Sequence, residues 1–213
     1  MTKLISTNPG KNYEPVGSVT VSTLKEIKQK VALAHKAKKQ WQDIGVEKRV
    51  VYLRKIHHEL LTKRNRIIDS IVKENGKCLK DARSEFDRYN SAFQWFLGNA
   101  KDSLRDEITH EDEKTIHKIV YEPFGVAAII LPWNHPFGMF VWGVVPNLLA
   151  GNTVILKHSE ECPLTAKLIE KIIDSTKHPR GVFSEIYGDG KVGKILLDQN
   201  ISLVWFTGSS LVG

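Results

Sequence analysis

Four short stretches of the chain carry side chains that could do chemistry together, and each follows a run of apolar residues with strand character. Pro132-Trp133-Asn134-His135-Pro136 follows Val126 to Leu131, and Lys157-His158-Ser159-Glu160 follows Thr153 to Leu156. Gly188-Asp189-Gly190 with Gly193 follows Phe183 to Tyr187, and Thr207-Gly208-Ser209-Ser210 with Gly213 follows Leu203 to Phe206. Gly188, Gly190 and Gly193 spell GxGxxG between a strand and a helix, the setting in which a backbone can approach a dinucleotide's phosphates. The acidic residue that accompanies this motif about 20 positions on would fall within Phe206 to Gly213, where no residue is acidic, so the glycines equally suit a tight turn. Lys157 and Glu160 offer a cation that donates to a hydroxyl and a carboxylate that accepts from two, which is what a ribose needs. A carboxylate there would also repel a 2′-phosphate and favour NAD over NADP. The same spacing also suits an exposed ion pair at a helix start. Asn134 presents a neutral amide that could hold a developing oxyanion without adding a titratable group, although an asparagine in a proline-rich turn has structural uses as well.

Residues just after strands matter because parallel sheets bind ligands beyond the carboxyl ends of their strands. From Gly125 the chain alternates strand and helix: Val126 to Leu131, Phe137 to Ala150, Thr153 to Leu156, Leu164 to Thr176, Phe183 to Tyr187, Lys191 to Gln199 and Leu203 to Phe206. Continuous Val, Ile and Leu in the strands predicts an α/β fold, a Rossmann-like parallel sheet with helices on both faces. An N-terminal helical segment precedes it. After an irregular start, Thr23-Leu24-Lys25-Glu26 predicts a capping box, and Ile27, Val31 and Ala34 continue at helical spacing. Leu53, Ile56 and Leu60 mark a second helix, Ile67, Ile71 and Val72 a third that stops at Asn75-Gly76, and Leu79, Ala82, Phe86, Tyr89, Phe93 and Phe96 a fourth. The expected organisation is a helical part over 1–100, a hairpin over 101–123 in which Thr115 to Tyr121 alternates like a strand, and the parallel core over 124–213.

Composition closes off other classes. The chain has 213 residues, of which 41% are hydrophobic and 26% charged, enough to build a buried core without metal or disulfide staples. Its two cysteines, Cys78 and Cys162, show no CxxC or Cys/His spacing, so no metal site is expected and a reducing cytoplasm fits. The N-terminus has neither a signal-peptide core nor a transit pattern. The net charge of +7 is segregated. Residues 24–66 hold thirteen Lys or Arg against four acids, but these basic residues alternate with an apolar stripe, which reads as the wet face of helices and not as a nucleic-acid footprint. Residues 124–156 contain no charged side chain, yet Pro132, Pro136 and Pro146, with asparagines and glycines, interrupt them before a membrane span of about 18 residues can form.

The ordered segments resemble the aldehyde dehydrogenase superfamily. Pro123-Phe124-Gly125-Val126 leading to Pro132-Trp133-Asn134-His135-Pro136 is similar to the family's PxG and PWNxP elements, and Pro146-Asn147-Leu148-Leu149-Ala150-Gly151-Asn152-Thr153-Val154-Ile155-Leu156-Lys157 with Ser159-Glu160 to its PALxAGNxVxxKP[SA]E. Pro179-Arg180-Gly181-Val182-Phe183 and Phe206-Thr207-Gly208-Ser209-Ser210-Leu211-Val212-Gly213 resemble PxGVxN and FTGSxxxG. The resemblance implies oxidation of an aldehyde to a carboxylic acid through a cysteine thiohemiacetal, with NAD as cofactor and NADP as the alternative. It implies that Asn134 donates to the oxyanion and that Lys157 and Glu160, with Ser159 beside them, hold the adenosine ribose. Leu131, Pro132 and Trp133 would line the cofactor cleft, Gly188 would lie against the adenine, and Phe206, Gly208, Ser209, Val212 and Gly213 would form the pyrophosphate end, Ser209 at a helix start. The hairpin over 101–123 resembles an oligomerisation element, which implies a homo-oligomer. Two residues depart from the pattern. His158 stands where the family has proline, which should loosen the turn and soften ribose binding, and Cys162 replaces a Thr or Ser at a helix start, either as a small cap or as a thiol of lowered pKa. The family's nucleophilic cysteine and general-base glutamate lie downstream of the FTGS segment, so the sequence predicts a truncated aldehyde dehydrogenase fold that does not turn over alone. The alternative is a non-catalytic nucleotide-binding or assembly module derived from that fold.

Overall fold

The side chains of Val126 to Ile129 in β5 (Val126–Ile130) are fully buried, because the strand is flanked in the sheet as well as covered above and below, while Ile130 at its end is half-buried. In the computed structural model, which describes residues 2–213, β6 (Thr153–Lys157) runs parallel to β5 with Val126 opposite Thr153, and β8 (Leu203–Phe206) runs parallel on the other side with Ala127 opposite Leu203. β7 (Phe183–Glu185) adds to β6, so the order is β7-β6-β5-β8. The chain winds outward from β5 through β6 to β7 and then returns to the opposite flank at β8. A crevice therefore opens at the carboxyl ends of β5 and β8, as reversals of strand order produce in such sheets.

Alternate residues of the strands separate two apolar clusters. Ala127, Ile129, Val154 and Leu156 point to α5 (Pro136–Ala150) and α6 (Pro163–Ser175), behind which lie α2 (Gly45–Thr62), α3 (Arg64–Asn75) and α4 (Leu79–Ser103). Val126, Ala128 and Ile155 point to α1 (Leu24–Asp43) and α7 (Gly190–Leu197) through Ile27, Val31, Val192 and Leu196. The expected α/β sheet with helices on both faces is present, and burial from both sides explains why β5 and β6 read as continuous apolar runs, while Val204 and Trp205 of β8 stay exposed. α1 opens with the expected capping box: Thr23 Oγ1 accepts from the Glu26 N–H at 3.2 Å and Glu26 accepts from the Thr23 N–H at 2.7 Å. α3 ends at Gly76 in the left-handed region, φ 66°.

Two boundaries differ from the sequence reading. The start of the chain is not irregular: β1 (Lys3–Asn8) and β2 (Glu14–Thr20) form an antiparallel hairpin joined through a single 3-10 turn, with a register shift between Ser6 and Thr7. Its short strands mix Ser, Thr and Pro with few apolar residues, so the alternation that would announce a strand is weak. α4 runs three residues past 100, to Ser103, because Leu97 and Ala100 continue its buried face. Beyond it β3 (Glu107–Glu111) and β4 (Ile116–Ile119) pair antiparallel, exposed along both strands. Among the described residues no helix is long and apolar enough to cross a membrane. The uncharged stretch is divided among β5, α5 and β6, and α5 passes through Pro146 without ending.

Motif residues outside the cleft have structural work. Asn152 Oδ1 accepts from the Gly125 N–H at 2.9 Å and its amide donates to Asn147 Oδ1 at 3.0 Å, which clamps the starts of β5 and β6 to the end of α5. Gly181 sits at φ 90°, and a Cβ there would lie 2.5 Å from the Leu33 carbonyl oxygen in α1. Because the obstacle is backbone and the conformation is strained for any L side chain, Gly181→Ala is expected to lower stability by at least about 1–3 kcal/mol. A urea midpoint equal to that of the parent chain would contradict this reading of the α1 contact.

Candidate functional site

A cleft of about 1060 Å³ opens at the carboxyl ends of β5, β6 and β8. Eleven of the thirteen residues singled out from sequence line it: Leu131, Pro132, Trp133 and Asn134 after β5, Lys157, Ser159 and Glu160 at the end of β6, and Phe206, Gly208, Ser209 and Val212 after β8. Gly188 and Gly213 do not line it. Gly188 is buried below the wall, where a Cβ would meet Val192 at 2.3 Å, so its role is to let the chain turn into α7. Gly213 instead donates its N–H to the Ser209 carbonyl at 3.2 Å, next to the Val212 N–H at 3.1 Å, so Ser209 begins a single turn over the described residues. The cleft also takes four residues of α7: Gly190 and Gly193 of the GxGxxG, and Lys194 and Leu197, which no sequence motif marks. For Lys194 and Leu197 the available signal is helical spacing, since 190, 193, 194 and 197 share one face.

Lys157 and Glu160 are not an exposed pair. Their Nζ and Oε2 lie 3.0 Å apart, but the lysine side chain is only 5% accessible while the glutamate is 37%. An ammonium has three donors, and among the described residues Glu160 is the only hydrogen-bond acceptor for Lys157. A buried cation with unused donors at the wall of a cleft fits a ligand rich in hydroxyls. The first turn of α7 forms the neighbouring wall. Its Asp189 cap accepts from the Lys191 N–H at 3.0 Å, and a Cβ on Gly193 would sit 3.9 Å from Ile130 and 4.0 Å from Lys157, so the bare glycine leaves the floor open.

The Asn134 turn is held from several sides. The Leu131 N–H donates to the Lys157 carbonyl at 3.0 Å, and the Thr207 N–H to the Ile130 carbonyl at 3.0 Å. The Asn75 side-chain amide donates to the Trp133 carbonyl. Below the turn, Glu85 of α4 is fully buried and its Oε1 accepts from the Phe137 and Gly138 N–H groups at 3.1 and 3.2 Å, while Oε2 pairs with Lys77 Nζ at 2.5 Å. A carboxylate at a helix N-terminus satisfies orphan donors and suits the dipole. Burial and the nearby Lys77 charge push His135 below its ordinary pKa, so the ring beside Asn134 is neutral at pH 7. Asn134 itself is exposed on the cleft wall, free to donate.

His158 behaves differently from its expectation, and for Cys162 the structure decides between the two alternatives: it stands at the N-cap of α6 without a side-chain cap bond, as a small buried residue and not as an activated thiol. His158 does not loosen its turn: it is buried, with Nδ1 2.6 Å from Glu185 Oε1 and Nε2 3.2 Å from the Pro136 carbonyl. Cys162 is fully buried at the start of α6, and burial, with Glu74 and Glu185 nearby, pushes its thiol well above the ordinary range instead of lowering it. The helix start is already served by Glu74, whose oxygens accept from Leu164 and Thr165 N–H at 2.8 and 2.6 Å and from Ser6 Oγ at 2.6 Å. A thiol reagent is expected to modify one cysteine, the exposed Cys78, in the native chain and both after denaturation; rapid native reaction of two would contradict the burial of Cys162. No group of three or more His, Cys, Asp or Glu among the described residues is arranged to hold a metal ion.

The profile of the aldehyde dehydrogenase family matches residues 2–213. An alpha-ketoglutaric semialdehyde dehydrogenase of Bacillus subtilis is 30% identical over 208 residues, covering 97% of this chain and 43% of the relative. Among solved structures, the NAD-dependent aldehyde dehydrogenase from Sinorhizobium meliloti superposes with a TM-score of 0.92 at 28% identity, over 100% of this chain and 43% of that one. PnpE in complex with nicotinamide adenine dinucleotide gives a TM-score of 0.92 at 25% identity, over 100% of this chain and 44% of its own. The chain thus spans about two fifths of the length of the curated relatives it matches.

Proposed function

The chain belongs to the aldehyde dehydrogenase family, and we propose that it supplies the nicotinamide-dinucleotide site and the oxyanion-holding amide for oxidation of an aldehyde to a carboxylic acid. The observation that carries this reading is the buried Lys157, with donors to spare, facing the same cleft as Asn134. NAD, when bound, supplies the hydride acceptor for that oxidation. Lys157 donates to a ribose hydroxyl and Glu160 accepts from one. The bare glycines at the start of α7 and the turn beginning at Ser209 leave backbone room for phosphates. Leu131, Pro132, Trp133 and Phe206 exclude water from the cleft, and the Asn134 amide donates to the oxygen that gains charge when a thiolate attacks the aldehyde.

The thiolate is not supplied by the cysteines described here. Neither lines the cleft, and burial keeps the Cys162 thiol protonated at neutral pH. In this reading the chain binds cofactor without turning over by itself. The apolar side chains exposed on the β3–β4 hairpin, including Ile108, Ile116 and Ile119, suit pairing with a second copy. The two free cysteines fit a reducing cytoplasm.

Calorimetric titration with NAD and NADP tests the cofactor assignment. NAD is expected to give a saturable one-site isotherm and NADP a weaker one, since the Glu160 carboxylate repels a 2′-phosphate. Heat from neither would remove the cofactor assignment, and formation of NADH on adding an aldehyde would remove the statement that the chain needs another nucleophile.

A further inference from the structure

We propose that His158 is a positioning residue: it ties the turn carrying Asn134 to the strand end carrying Lys157 and Glu160, and its proton sets whether that tie is made. This rests on the reading of those three residues given above. The His158 side chain is 2% exposed and bridges two elements, Glu185 of β7 through Nδ1 at 2.6 Å and the carbonyl of Pro136, the first residue of α5, through Nε2 at 3.2 Å. The His158 N–H also donates to the same Glu185 oxygen at 3.3 Å.

A backbone carbonyl only accepts, so Nε2 must carry a hydrogen to make its bond. Nδ1 faces a carboxylate. Both bonds exist together with an ionised Glu185 only when the ring is the imidazolium. A neutral ring keeps one N–H, and an ionised carboxylate is a stronger acceptor than an amide carbonyl. Loss of the proton therefore releases Pro136 and leaves the Glu185 bond. Pro136 is two residues from Asn134, and Glu85 already fixes the following Phe137 and Gly138 N–H groups. His158 completes the first turn of α5 on its acceptor side, while its own backbone links Lys157 to Ser159 and Glu160.

The groups around the ring support a charged state. Burial opposes the charge most strongly, but the Glu185 carboxylate, the hydrogen bonds to it and to Pro136, and Glu74 at the end of α3 outweigh it and hold the pKa above its ordinary value. The Cys162 thiol at the start of α6 lies in the same field of Glu74, Glu185, Glu85 and Lys157. A raised folded pKa means that the contribution to stability is complete below the unfolded value, about 6.5, and is lost as pH rises through the folded value.

The test is NMR on the intact 213-residue chain from pH 5.5 to 9.5, reading the His158 ring nitrogens, the Asn134 side-chain amide and the Trp133 indole. The Asn134 and Trp133 signals are expected to titrate in step with His158, with a midpoint above 6.5. Glu185→Gln should move that midpoint down. His158→Gln should displace the signals and abolish their titration, along with the loss of urea midpoint between pH 6 and pH 9 that is assigned to His158. Asn134 and Trp133 signals that stay flat while His158 titrates would overturn the proposal, and this holds on the parent chain even if His158→Gln fails to fold. Coupling without NAD binding would remove the cofactor reading alone; NAD binding without coupling would remove the His158 link alone.

Discussion

Glu85→Ala is expected to cost the folded chain about 3–5 kcal/mol, the range for removing one partner from a buried ion pair. The glutamate side chain is 0% exposed and does three things at once. It accepts the Phe137 and Gly138 N–H groups, pairs with Lys77, and fills the space between α4 and the first turn of α5. Alanine leaves two helix-terminal donors and a largely buried ammonium without an acceptor, and it opens a void under the Asn134 turn. Glu85→Gln keeps the shape but not the charge, so its cost should be smaller. Urea unfolding of the three chains measures this ladder. An alanine variant within about 1 kcal/mol of the parent would show that the carboxylate is not the support of α5 that its contacts indicate, since ordinary surface changes fall within roughly 0.5 kcal/mol.

The second large effect falls on binding. Lys157→Ala removes the buried cation of the cleft wall that pairs with Glu160. A hydrogen bond to a charged group contributes about 1.5–3 kcal/mol, and each 1.4 kcal/mol is tenfold, so NAD affinity should fall roughly 10- to 100-fold. Glu160→Gln is the informative companion. It keeps an acceptor for a hydroxyl but removes the repulsion toward a 2′-phosphate, so the preference for NAD over NADP should narrow. Parallel calorimetric titrations of the parent and both variants give the two ratios. Unchanged NAD affinity in the Lys157 variant would move the nucleotide away from β6.

What sequence could and could not reveal follows from where the information is stored. The parallel core was legible because β5 and β6, buried on both faces, spell apolar runs of Val, Ile, Leu and Ala, and because ligand-facing residues must come directly after the strands. That rule alone places Asn134, Lys157 and Ser209 in one cleft. The β1–β2 hairpin was not legible, since its Ser- and Pro-containing strands lack alternation. The supporting carboxylates were half legible. Glu85 falls on the stripe of Ala82, Phe86 and Tyr89, and Glu74 on that of Ile67 and Ile71, so each acid stands on a face that is otherwise buried. An acid on such a face announces a buried partner, but pattern alone does not say that the partner is the N-terminus of a helix 52 or more positions away. His158 was not legible because its sequence neighbours suggest an open turn, and the choice between cap and activated thiol at Cys162 was not legible for the same reason: tertiary packing buries both among Glu74 and Glu185.

The most direct measurement of the central claim is a backbone amide NMR map of the 213-residue chain titrated with NAD. The expected result is saturable shifts confined to the cleft: Leu131 to Asn134, Lys157 to Glu160, Gly190 to Gly193 and Thr207 to Ser209. Shifts that cluster elsewhere, for example in the groove that Arg54, Lys55 and His58 of α2 form with Ser175 and Thr176, or no shifts at NAD concentrations far above those that saturate a specific site, would contradict it.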